Sequence, residues 1–156
     1  QDEHEVKKNW EKLKMQEGKI SVLEGVPKSL PAIVKAFRIQ EKVRGIGFDW
    51  ENKNQVWDKV LEEIDELKVE ISNANQERIE QEFGDVLFAL TNYSRFINVN
   101  PEDALERTNK RFVKRFQIME KIIRDEGLDL SEMNLSEMDV FWKKAKDIYS
   151  FSKKKD

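Results

Sequence analysis

Between Asn54 and Asn98 the chain holds two long amphipathic stretches separated only by a short polar turn, and few folds accept that arrangement. In the first stretch, Asn54 to Asn73, residues Trp57, Val60, Leu61, Ile64, Leu67 and Ile71 contain the 3-4-3-4 spacing of a helical-bundle seam. In the second, Gln76 to about Asn98, Ile79, Phe83, Val86, Leu87, Leu90 and Ile97 share one helical face. The connection, Ser72 to Asn75, leaves room for little but a reversal of direction. The pair therefore reads as an antiparallel helical hairpin.

The rest of the chain agrees with an all-α fold. Six Gly and three Pro in 156 residues leave little material for the turns of a many-stranded sheet, and nine Phe with four Trp argue against disorder. The length suits one compact domain. Val6, Trp10 and Leu13 mark a short amphipathic helix over residues 3–17, ending near Gly18, and residues 1–20 read as a linker helix. Lys19 to Pro31 is a loop. Ser29 and Pro31 then start a helix carrying Ile33, Val34, Phe37 and Val43, which Gly45 and Gly47 stop. Asn100-Pro101 opens another, with Glu102 and Asp103 at the positive end of its dipole. It runs through Leu105, Phe112, Phe116, Met119 and Ile123 to Gly127 as C-cap. Ser136 with Asp139 predicts the cap of a last helix holding Trp142 and Ala145, and 151–156 read as a flexible tail around a single domain over 21–150.

Charge and residue usage exclude several classes. The net charge is −3, and the one basic run, Lys153 to Lys155, reads as a frayed tail, so no nucleic-acid partner is expected. Without cysteine there is neither a disulfide framework nor a thiolate metal site. The single histidine, His4, lies near a terminus, so a metal site would be built from carboxylates and would favour Mg²⁺ or Mn²⁺. No apolar run approaches the roughly 18 residues of a membrane span and no signal peptide is visible, which predicts no membrane partner and a cytoplasmic location. The start at Gln1 rather than Met reads as a piece of a longer protein.

The hairpin carries the chemistry. Its first helix holds Glu62, Glu63 and Glu66, its second Glu82 and Asp85. Either motif alone is common by chance in so acidic a chain, and the plain alternative is a solvated acidic face. At about 100° per residue, however, Glu63 borders the apolar stripe beside Val56, and Glu66 lies about 60° further round. Glu82 likewise borders its stripe beside Val86, with Asp85 about 60° beyond. The midpoints of the two pairs are equally far from the turn near Ala74, about 14 Å at ~1.5 Å rise per residue. Four carboxylates would then face each other at one level. Such a cluster repels itself, and divalent cations relieve it better than protonation does. Glu62 points away from the stripe; it could support the ligands, act as a base through water, or be simply solvated. Gly84, inside the second helix, reads as a close approach by another helix or as tolerated slack.

Cations for an anionic substrate are offered further along. Arg111 and Arg115 lie one turn apart beside the stripe of Phe112 and Phe116, with Lys114 further toward solvent, and arginine's fork suits phosphate oxygens. A salt-bridged outer face is the alternative. Trp142 and Lys146 pair an aromatic able to stack a base with an amine, although Trp142 as plain core has the same spacing.

Glu62-Glu63-x-x-Glu66 followed by Glu82-x-x-Asp85 resembles the signature of the all-α nucleoside triphosphate pyrophosphohydrolases. The segments 21–50, 56–71, 83–96, 109–116 and 138–146 resemble the catalytic half of MazG proteins, five ordered blocks within a likeness running from about Val6 to Asp147. The resemblance implies a homodimer whose helices bundle around each site, and Mg²⁺ held by Glu63, Glu66, Glu82 and Asp85. It implies nucleotide contacts from Lys59 to Glu63, Arg78 to Gln81, Arg111, Arg115, Trp142 and Lys146, with Glu62 or Glu63 orienting or deprotonating the attacking water. Arg111 stands where many members have Lys, which keeps the charge and changes the donor geometry. The implied reaction is NTP + H₂O → NMP + PPi, a house-cleaning of nucleotide pools. Rivals are a dUTPase, dCTPase or phosphoribosyl-ATP pyrophosphohydrolase, and a helical dimerisation or regulatory module without catalysis.

Overall fold

A computed structural model describes residues 5, 6, 9, 10, 18 and 20–153. Its regular elements among these residues are helical throughout: α1 (Ala32–Gly45), α2 (Lys53–Asn73), α3 (Gln76–Phe96), α4 (Pro101–Asp125), a 3₁₀ turn (Leu130–Glu132) and α5 (Leu135–Ser152). The linker helix predicted over 3–17 falls mostly outside the described residues; Glu5, Val6, Asn9 and Trp10 are helical. Two compact units divide the chain, 1–102 and 103–156, the division falling in the first turn of α4.

In the first unit, α2 and α3 pack along each other as the predicted hairpin, and α1 packs on α3. Local chemistry sets the ends. Asn52 begins α2 with a capping box, its side chain accepting from the amides of Asn54 and Gln55 while Gln55 Oε1 accepts from Asn52 N–H. Ala74 closes α2 in the left-handed region (φ 53°), and Asn75 caps α3 by accepting from Arg78 N–H. α1 ends where the amides of Gly47 and Phe48 turn back onto Arg44 and Val43, with Gly47 at φ 92°. α3 stops at Phe96, two residues before the predicted Asn98, because Asn98 itself turns left-handed (φ 56°) and Val99 N–H bonds back to Ser94.

Two polar contacts hold this unit in register. Gln40 Nε2 donates to the Phe88 carbonyl at 2.8 Å, tying α1 to α3. Asp49 accepts a two-pronged pair from Arg95, at 2.9 and 3.3 Å, which fastens the loop before α2 to the end of α3. The Arg95 side chain is 5% exposed there.

Of the predicted seam only Val60 and Val86 are enclosed, Val60 completely, with Val56 and Ala89 buried beside them, while Trp57, Leu61, Ile71, Leu87, Leu90 and Ile97 stand exposed and Phe83 is 55% exposed. Two facing helices bury only their inward sectors, and the remaining stripe has no cover among the described residues.

The second unit closes on itself. Met119 and Ile123 of α4 meet Phe141 and Ala145 of α5, with Phe116, Ile122, Leu130, Met133 and Trp142 packed around them. Gly127 ends α4 as predicted, at φ 72°, its amide returning to Arg124 and that of Leu128 to Ile123. The last helix begins earlier than the Ser136–Asp139 pair predicts. Asn134 is its cap, accepting from Glu137 N–H at 3.0 Å while Glu137 Oε2 accepts from Asn134 N–H at 2.9 Å, a complete capping box ahead of the predicted one.

Candidate functional site

The hairpin brings three carboxylates together. One oxygen each from Glu63 and Glu66 on α2 and Glu82 on α3 lie within 4.8 Å of one another. Their convergence follows from the equal spacing of the two acidic pairs about the turn at Ala74, which puts them at one level of the antiparallel pair. Asp85 is exposed and falls outside that group, although its charge is felt there.

Glu63 and Glu82 are each 7% exposed, whereas Glu66 is exposed, so the cluster opens from a buried floor toward solvent. Burial pushes the Glu82 carboxyl above its usual range, and the negative charges of Glu66, Asp85 and Glu63 and a hydrogen bond with Glu66 push the same way. Glu82 Oε2 is buried without a hydrogen-bond partner. A buried acceptor left unpaired among other carboxylates is costly unless a cation completes it. Together with an oxygen-only donor set, this fits a hard divalent cation held by Glu63, Glu66 and Glu82.

Lys59 partly neutralises the cluster from one side. Its ammonium lies 2.5 Å from Glu63 Oε1 and 3.2 Å from Glu62 Oε1. The hydrogen bond to Glu63 is the main reason its pKa is raised, with burial opposing and Glu62 adding to it. Glu62 is exposed and its described ion-pair partner is this lysine, which places it beside the cluster rather than in it. Arg78 and Gln81 are exposed on the first turns of α3. Around Gly84 the close approach is absent, because no described neighbour comes within 4 Å of where a Cβ would stand.

The remaining predicted residues belong to the second unit. Arg111 is exposed and donates to Thr108 Oγ1 at 3.3 Å. Arg115 is half-buried, with its guanidinium over the ring of Tyr149. Trp142 packs against Phe112, ring centroids 5.3 Å apart, and against the core cluster; Lys146 is half-buried on the next turn.

Sequence reasoning passed over Gln40, Asp49, Arg95 and Tyr149. Gln40 was within reach of it: the residue lies seven positions after Ile33 and three after Phe37, an apolar slot filled by an amide. The Asp49–Arg95 and Arg115–Tyr149 pairs join residues far apart in sequence, and no periodicity reports such contacts.

Comparison with known proteins bears on the same segment. Residues 52–124 match the family described as the MazG nucleotide pyrophosphohydrolase domain. The chain is 42% identical over 142 residues to the nucleoside triphosphate pyrophosphohydrolase/pyrophosphatase MazG of Thermotoga maritima, covering 89% of this chain and 54% of that protein. It is 38% identical over 148 residues to the nucleoside triphosphate pyrophosphohydrolase of Escherichia coli K12, covering 91% of this chain and 56% of that one. A Bacillus subtilis protein, YabN, is 44% identical over 151 residues, 94% of this chain and 31% of its own length. The chain thus spans about half the length of the first two relatives.

Proposed function

Because the chain carries a MazG nucleotide pyrophosphohydrolase domain, we propose that it hydrolyses nucleoside triphosphates to nucleoside monophosphate and pyrophosphate with Mg²⁺ as cofactor, Mn²⁺ being a possible substitute. The observation that carries the reading is the convergence of Glu63, Glu66 and Glu82 within 4.8 Å around a buried oxygen without a partner. That is a carboxylate floor suited to a divalent cation and, through it, to a polyphosphate. Asp85, exposed one turn after Glu82, completes the proposed ligand set. When bound, the cation supplies charge neutralisation on the phosphates and makes water a stronger nucleophile.

The chain's own residues supply the rest. Glu63, or Glu62 beside it, orients the attacking water and takes its proton as the bond to the α-phosphorus forms and the bond to the pyrophosphate breaks. Arg111, Arg115 and Lys146 offer donors to the negative charge growing on the leaving pyrophosphate. Lys59, Arg78 and Gln81 line the approach, and Trp142 offers a ring for the base. The exposed stripe of Trp57, Leu61, Phe83 and Leu87 supports a homodimer, since a second copy would cover apolar surface that one chain leaves in water. No helix among the described residues is long and apolar enough to cross a membrane; a cytoplasmic role in clearing nucleotide pools, without nucleic-acid or membrane partners, completes the reading.

The test is release of pyrophosphate and of orthophosphate from the eight common NTPs and dNTPs, with Mg²⁺ and with EDTA. Magnesium-dependent pyrophosphate from several nucleotides is the expected result. Pyrophosphate from one nucleotide alone would narrow the reading to a pool-specific relative, and none from any would turn it toward a binding module.

A further inference from the structure

Arg115 is held in an unusual way for a surface-helix cation. Its guanidinium carbon lies 5.1 Å from the centre of the Tyr149 ring, and Tyr149 is a buried residue of α5, 9% exposed. Arg115 Nε is buried and, among the described residues, has no hydrogen-bond partner, and no ion pair among them involves the side chain. Other cations of this unit are treated differently: Lys110, Lys121, Lys143 and Lys144 each reach a carboxylate, on Glu106, Asp125, Asp139 and Glu126.

The sequence explains the difference. One turn either side of Arg115 stand Arg111, Phe112, Ile118 and Met119, and around Tyr149 stand Ala145, Lys146, Ser152 and Lys153. None is acidic, so no carboxylate lies within helical reach of the guanidinium. Lys153 Nζ also lies on the Tyr149 ring, 5.4 Å from its centre. An aromatic face attracts a cation without taking a hydrogen-bond donor from it, which a carboxylate would do. The arginine is thereby fixed while its planar fork stays uncommitted.

We propose that Tyr149 is a positioning residue for Arg115: its ring holds the guanidinium in place and leaves the N–H donors free for an incoming phosphate group. The inference rests on the pyrophosphohydrolase reading above, in which Arg115 meets the triphosphate.

Steady-state hydrolysis of ATP by the full chain tests it, with Tyr149→Met removing the ring and Tyr149→Phe keeping it. Tyr149→Met should raise KM about fivefold, the scale of one cation–ring contact, and Tyr149→Phe should stay within about twofold of the parent chain. A merely structural loss lowers the active fraction, and with it kcat, leaving KM alone. An unchanged KM in Tyr149→Met, or an equal rise in Tyr149→Phe, overturns the proposal. A second readout needs no turnover. The Arg115 Nε–H resonance, assigned by its loss in Arg115→Lys, should lie upfield of the other arginines through the ring current of Tyr149. A resonance in their common range overturns the proposal even if Tyr149→Met fails to fold. If the parent chain releases no pyrophosphate while the resonance is shifted, the failure lies in the functional reading; the contact then stands without its assigned purpose, and the positioning role is overturned with that reading.

Discussion

The two units of this chain bury their helices on opposite terms. In 103–156, α4 and α5 close over Met119, Ile123, Phe141 and Ala145, and apart from Arg115 Nε the polar groups are left to caps and surface ion pairs, although Phe112 and Phe151 stand exposed here too. In 1–102, the buried set includes Gln40, Glu63, Glu82, Thr91 and Ser94, while Phe83, Trp57, Leu61 and Leu87 face outward. Buried carboxylates and exposed aromatics both cost stability in an isolated unit. Such local conflicts are where functional sites are expected, in keeping with the metal site proposed for this unit.

The sharpest contrast should appear in activity. Glu66→Gln removes one charge from the cluster and touches no core side chain, so pyrophosphate release should fall by about a hundredfold or more while the helical circular dichroism spectrum is kept. Activity near that of the parent chain would sever the cluster from the reaction. In the second unit the large effect should be on folding instead. Ile123→Ala empties a fully enclosed position and should cost about 2–5 kcal/mol in urea unfolding. A loss under about 1 kcal/mol would mean that this core collapses around the gap, and that the two units differ less than their burial suggests.

Phe83→Asp asks what covers the open stripe. Under the homodimer reading, sedimentation should show the mass falling toward that of one chain, whereas a parent protein already of single-chain mass would remove the dimer from the reading. Asn134→Ala should be milder, about 1 kcal/mol from the lost cap of α5, read from the urea midpoint.

The smallest effect concerns pH. Glu82, ordinarily titrating at 4.5, has its pKa raised in the fold, so the folded chain holds a proton that the unfolded chain has already lost. Between those two values the unfolded state binds fewer protons, and stability declines as pH rises through the window. In EDTA, the urea midpoint of the parent chain should therefore drift down from about pH 4.5 toward neutrality, and Glu82→Gln should flatten the drift. An upward drift that Glu82→Gln leaves unchanged would show that Glu82 is not the strained member of the cluster.

Much of this was legible from residue order because helices are local objects. Amphipathic spacing located α2 and α3, the Asn-Pro step opened α4 and Gly127 closed it, since each depends on neighbours within a turn or so. The acidic cluster was legible for the same reason. A short turn forces antiparallel pairing, and equal distances from Ala74 then put Glu63 and Glu66 level with Glu82. Competing local signals were harder. Both Asn134–Glu137 and Ser136–Asp139 have the form of a cap, and which carbonyls and amides are left orphaned decides between them.

What residue order could not supply was which side of each stripe ends up covered. Helical period assigns a face but not its cover, so Val60 and Leu61 looked alike in sequence, yet one is enclosed and the other stands in water. Contacts between segments distant in sequence share that character: Gln40 on the Phe88 carbonyl, Arg95 on Asp49, Tyr149 beneath Arg115. Helix positions, the hairpin and three of its four expected carboxylates followed from sequence, because backbone hydrogen bonding and turn length act over a few residues; Asp85 falls outside the group. Burial, the partners of buried polar groups and the raised Glu82 pKa were decided by tertiary packing, because only the assembled helices determine where water is excluded and which charges meet.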